Sequence, residues 1–92
     1  MKFIRVRMYI YGRVQGVSFR NTMKRIAKEL HLSGWVRNLP EGQVEAVVEG
    51  EEEKVERLVS WSHIGPSRAK VTKVEVIREP YTGEYERFST RW

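Results

Sequence analysis

The sequence predicts an α+β sandwich, an antiparallel sheet carrying two helices on one face. Three observations point to it. The apolar period switches from two to about 3.6 and back, twice along the chain. Gly34 follows the first helix-like run, and Gly65-Pro66 stops the second. Two alternating runs in the middle are joined by Leu39-Pro40-Glu41-Gly42, with Pro and Gly in type I turn positions, as a hairpin requires. Ninety-two residues are expected to form one domain over 1–92.

Residues 3–11, FIRVRMYIY, alternate: Ile4, Val6, Met8 and Ile10 form an apolar row, and Phe3, Arg5, Arg7, Tyr9 and Tyr11 form the other. That is a strand with one buried face. In 19–31, Phe19, Met23, Ile26, Ala27 and Leu30 fall on one helical stripe. WVRN, 35–38, is short and strand-like, and QVEAVVE, 43–49, alternates again. Val55, Leu58, Val59 and Ser62 give helical spacing to 51–62, with Glu51–Glu53 as its acidic first turn. Residues 69–77 read as a strand interrupted at Thr72-Lys73, by either a bulge or a shift of facing. After a loop at 80–83, residues 85–91 read as a short fifth strand. The order β-α-β-β-α-β is the split βαβ, or ferredoxin-like, arrangement. Strands 1 and 2 are then parallel, with strand 3 between them. The residues after strand 1 and Asn38 at the end of strand 2 meet at one edge, about 10 Å apart.

Composition excludes much. There is no cysteine and no aspartate, and the two histidines, His31 and His63, have no ligand-like spacing. This rules against a disulfide, a zinc site and a Ser-His-Asp triad. No 18-residue apolar run exists and the N-terminus is a poor signal peptide, so no membrane partner is expected and cytoplasm is the default. A net charge of +5 favours anionic partners or is simply a solvated surface. Abundant Glu, Arg and Lys also fit a heat-adapted protein.

The stretch GRVQGVSFR, 12–20, is where periodicity breaks. Ser18 stands at the helix N-cap position, and Arg20 falls in the first turn. A cation there opposes the helix dipole at about 0.3–1 kcal/mol. Two readings fit the residues. One is an anion cradle, in which loop N–H groups and the planar Arg20 fork meet an oxyanion. The other is an ordinary strand-to-helix turn with Ser18 capping and Arg20 in water. A Walker A loop is excluded, because no Gly-Lys-Ser/Thr follows at the required spacing.

GRVQGVSFR, then GWVRNLPEGQVEAVVEG, then W…GPSRAKV…VEV, together resemble the acylphosphatase family over about residues 4–77. The resemblance implies hydrolysis of the mixed anhydride of a carboxylic acid and phosphate, with no metal and no cofactor. It implies a small-molecule acyl phosphate as partner and inorganic phosphate as product. It implies that Gln15, Gly16, Val17, Ser18, Phe19 and Arg20 bind the phosphoryl group, with Arg20 gripping it, and that Asn38 holds the attacking water. Glu41 stands where many relatives have Asp, and Ser67 where many have a second Pro. Both lie in turns away from the inferred chemistry.

The chemistry suits the inventory. A carboxylate leaving group, with a pKa near 4.3, departs as a stable anion and needs no general acid. Positioning and charge stabilisation dominate phosphoryl transfer. The rival is a basic ferredoxin-like nucleic-acid-binding module, but strand 3 carries two glutamates and no aromatic where RNP1 would sit. A small regulatory ligand-binding domain is a third class. Of the remaining residues, Trp35 and Trp61 read as packing, Arg37 as surface, and His31 and His63 as helix-end caps or solvated side chains. Gln15 reads equally as loop-shaping or solvated. Lys70, Lys73, Arg87 and Arg91 on edge strands discourage edge pairing, so a monomer is expected and a dimer is left open.

Overall fold

A computed structural model describes residues 2–91. The alternation read at the N-terminus extends as β1 over Phe3–Arg13, followed by α1 over Phe19–Glu29 and β2 over Ser33–Asn38. The hairpin partner β3 covers Val44–Glu51 and runs directly into α2 at Glu52–Ser62. Then come β4, Lys70–Glu79, and β5, Phe88–Arg91. The strand order is β4-β1-β3-β2-β5.

The central three strands match the expected topology. β3 pairs antiparallel with β1 on one side and β2 on the other, so β1 and β2 run parallel. Val44 is opposite Ile10 on one flank and Asn38 on the other, which puts those three residues in one row across the sheet. Ile4, Val6, Met8 and Ile10 of β1 join Val44, Ala46 and Val48 of β3 under Phe19, Met23, Ala27, Val55 and Leu58 of the helices. That row is the buried face the period-two pattern identified.

The sheet is not antiparallel throughout. β5 pairs parallel with β2, Gly34 opposite Phe88 and Arg37 opposite Arg91. Alternation reports facing, not direction, so the sequence carried no signal for this. β4 and β5 occupy opposite edges, four strand spacings or about 19 Å apart. The connection at 80–87 crosses that span, within the roughly 26–29 Å reach of eight extended residues.

The interruption in the fourth strand is a bulge. Tyr11 is opposite Lys73 but Gly12 is opposite Val71, which leaves Thr72 as the extra residue. The slip returns Val71 to the same face as Val74, and both pack on the core. Gly12 makes the bulge possible: φ is +117°, and a Cβ there would fall 2.1 Å from the Lys70 carbonyl oxygen.

Helix α1 stops at Glu29, earlier than its apolar stripe suggested. His31 N–H donates to Lys28 O at 3.1 Å and Leu32 N–H to Ala27 O at 2.8 Å, a Schellman closure. His31 takes the left-handed place usually given to glycine, with φ +58°. Gly34, which the sequence offered as the stop, lies inside β2, where a Cβ would meet Val47 O at 1.9 Å.

The face of the sheet away from the helices carries a network that alternation did not reveal. Glu79 accepts from Arg5 Nε at 2.9 Å and Arg7 Nε at 2.8 Å. Glu45 accepts from Arg7 at 2.6 Å and Arg37 at 2.7 Å. Glu49, fully buried, accepts from the Thr82 and Gly83 amides as the 80–87 connection crosses over it. Trp35 lies under the Arg91 guanidinium, 4.6 Å from its ring centre, and donates from Nε1 to the Tyr85 hydroxyl. Arg37 is thus an ion-pair partner as well as a surface residue.

Candidate active site

The site forms where β1 leads into α1 and β2 leads into the hairpin. Val14 and Val17 turn inward and are nearly fully buried, which anchors the loop from below. Gly16, φ +72°, and Ser18, φ +63°, are both left-handed. Ser18 occupies the N-cap position, but its side chain makes no capping bond. The capping role read from its identity is therefore not filled, and no acidic residue stands in the first turn of α1. The helix N-terminus keeps its partial positive charge facing the loop.

The hairpin turn is closed by Gly42 N–H to Leu39 O at 3.1 Å and Leu39 N–H to Gln43 O at 2.8 Å. Gln15 Nε2 donates to the same two carbonyls, Leu39 O at 2.8 Å and Gln43 O at 2.9 Å. One side chain thereby locks the loop after β1 to the turn beginning just after Asn38. Of the two readings of Gln15, loop shaping holds.

A cavity of about 260 Å³ opens between them, lined by Val14, Gly16, Ser18, Phe19, Arg20, Asn21 and Asn38. Five of the seven residues singled out from the sequence therefore share one wall. Gln15 stands outside it as the brace, and Val17 lends its side chain to the core. Phe19 does both, packing on Trp61 with ring centres 5.1 Å apart. Val14 and Asn21 were not foreseen, nor was the Arg91 carbonyl, which accepts from Arg20 Nη1 at 3.1 Å. A backbone acceptor at the far end of the chain leaves no mark in side-chain pattern. The lining holds one guanidinium, amide and hydroxyl groups, and no carboxylate or imidazole. Among the described residues no three His or Glu side chains gather as a metal site, and no helix is long and apolar enough to cross a membrane.

The sequence model of the acylphosphatase family matches residues 6–90. The chain belongs to the acylphosphatase family. An acylphosphatase of Thermococcus kodakarensis is 59% identical over 76 residues, 83% of this chain and 84% of that one. One from a Roseiflexus species is 50% identical over 92 residues, covering 100% of this chain and 99% of the relative. The crystal structure of acylphosphatase from Bacillus subtilis superimposes with a TM-score of 0.93 at 34% identity, covering 97% of this chain and 99% of that one. The protein is thus a hydrolase with acylphosphatase activity, taking a small acyl phosphate and releasing inorganic phosphate.

Proposed function

We propose that Arg20 and the backbone amides of residues 15–20 grip the phosphoryl group while Asn38 holds the water that attacks it in line. The observation that carries this reading is the Asn38 side chain. Its Oδ1 is buried and has no hydrogen-bond partner among the described residues, and Asn38 lines the cavity that Arg20 also lines. Leaving such an acceptor unmade costs about 1–3 kcal/mol. Turned into the cavity, that oxygen accepts from a water, which removes the cost and leaves the water an oxygen lone pair for phosphorus.

The loop supports the other half. Left-handed residues at Gly16 and Ser18 give the loop the kind of curvature in which backbone amides converge on an anion, and the uncapped start of α1 adds its dipole. In the loose transition state, charge spreads over the equatorial oxygens, where the guanidinium and amides stabilise it. The water oxygen bonds to phosphorus as the P–O bond to the acyl group breaks. The carboxylate departs with the electron pair, and the water's proton passes to a phosphoryl oxygen. A cavity without carboxylate or imidazole suits this substrate-assisted route. The proposal covers residues 1–92 as one acylphosphatase-like domain acting as a monomer; sedimentation at working concentration checks the latter.

Asn38→Ala is expected to lower turnover by about 10²–10³ while leaving competitive inhibition by inorganic phosphate unchanged, the scale for losing one positioned polar group. Near-normal turnover in that variant removes the water-holding role.

A further inference from the structure

A second cavity, of about 550 Å³, lies toward the C-terminal end of α1, between that helix and the start of β5. Its size is in the range of small-molecule sites. Lys24 and Lys28, one helical turn apart, form one wall with His31, and Arg87 faces them from the 80–87 connection. Leu32 and Phe88, both nearly buried, supply an apolar floor. The one acid on the rim is Glu86. The C-terminal pole of α1 is negative, but the Ala27 and Lys28 carbonyls there are already closed by amides.

His31 adds an independent observation. Among the described residues only Ser18 and His31 are left-handed without being glycine. One lines the candidate active site and the other lines this cavity. Strained backbone of this kind concentrates where a side chain is wanted in place. Here it holds the His31 imidazole on the cavity wall that Lys24 and Lys28 also line.

We propose that this cavity is a second ligand site, taking a small amphipathic anion: a phosphate or carboxylate head on an aryl or short hydrocarbon body. The head meets Lys24, Lys28, His31 and Arg87, and the body covers Leu32 and Phe88. Its walls are the two elements that hold Arg20. α1 carries Arg20 in its first turn, and β5 ends at Arg91, whose carbonyl accepts from it. A ligand wedged between α1 and β5 therefore changes how firmly the guanidinium is held and, resting on the reading of Arg20 as the phosphoryl grip, changes phosphate affinity.

Benzylphosphonate, whose C–P bond the enzyme does not hydrolyse, is a suitable probe. Amide shifts of the full chain are followed with inorganic phosphate saturating the first site. Saturable shifts are expected at residues 24–33 and 85–88, with the dissociation constant raised tenfold or more in Lys28→Glu and in Arg87→Glu. Shifts confined to 14–21 and 38, or equal affinity in both charge-reversed variants, overturn the proposal. In a separate assay with probe and phosphate both varied, the phosphate inhibition constant, corrected for direct competition by the probe at the first site, should shift at least threefold in the natural chain and not in Arg87→Glu. Binding without that shift overturns the coupling. If Arg20→Ala leaves phosphate inhibition unchanged, the grip reading fails while the binding result stands by itself.

Discussion

Arg20 donates from Nη1 to the backbone carbonyl of Arg91 at 3.1 Å, which ties the first turn of α1 to the end of β5. The same Arg91 side chain stacks on Trp35, 4.6 Å from the ring centre. Backbone and side chain of one residue thus serve different ends. A chain ending at Thr90 should raise the phosphate inhibition constant about tenfold, or 1.4 kcal/mol, within the range for a hydrogen bond to a charged group. Arg91→Ala keeps the carbonyl, so it should lower stability by about 0.5–1 kcal/mol through the lost stacking and leave phosphate inhibition alone. Equal inhibition constants in the natural and shortened chains would show that the carbonyl does not position Arg20.

Gln15 holds two carbonyls of the hairpin with one amide nitrogen. Gln15→Ala is expected to lose about 1–2 kcal/mol of stability and to reduce turnover more than it raises KM, because the loop is freed relative to Asn38. Gln15→Glu should be worse than alanine, since a carboxylate would face two acceptors. Urea unfolding and steady-state rates on the three proteins decide it; a glutamate variant as stable as the natural chain refutes the brace.

The bulge opposite Gly12 tolerates no side chain. Gly12→Ala should destabilise by about 3 kcal/mol or more, from the left-handed φ together with contact against Lys70 O. A loss below about 1 kcal/mol would mean the two strands can part there without consequence.

His31→Gly should stabilise. A non-glycine residue in the left-handed region costs about 1–2 kcal/mol. Glycine gives back about 0.4–1 kcal/mol through the entropy of the unfolded chain. The net expectation is a gain of about 0.5–1 kcal/mol, seen as a higher Tm, and a lower Tm would contradict it.

Acid should weaken the outer face in a defined way. The Arg7 hydrogen bond, joined by Arg5 and opposed by partial burial, holds the Glu79 carboxyl below the usual carboxylate range. Burial pushes Glu45 upward, but bonds from Arg37, Arg7 and Tyr9 outweigh it and the net shift is also downward. A carboxyl with a depressed folded-state pKa contributes stability that is complete above its unfolded value, near 4.3, and is lost as pH falls through the folded value. Glu79→Gln should therefore be about 1–2 kcal/mol less stable than the natural chain from about pH 5 to 8. The gap should close as pH falls through the lowered folded-state value of Glu79. A gap that persists in strong acid would show that the charge on Glu79 contributes nothing.

What the sequence made legible was what repeats or breaks a period. The row Ile4, Val6, Met8, Ile10 and the stripe Phe19, Met23, Ala27 located the core and both its layers. The loop at 12–20 stood out because it broke local rules, and Asn38 came to it through the order of the strands. Boundaries were less visible. β2 begins at Ser33, since Gly34 serves close approach to β3 rather than the end of a helix. Tertiary facts without a local signature were missed: the parallel direction of β5, the carbonyl of Arg91 beside Arg20, and two glutamates buried on the far face, Glu45 between Arg7 and Arg37 and Glu49 under Thr82 and Gly83.

The parallel pairing of β5 with β2 has a kinetic corollary. Residues 88–91 pair with residues 34–37, fifty-four positions earlier in the chain, by way of the connection that crosses the sheet. Such distant closures come late, because loop entropy is lost before any contact rewards it. Recovery of enzyme activity on refolding should thus lag the burial of Met8 and Leu58, making catalysis itself a reporter of the final strand's arrival.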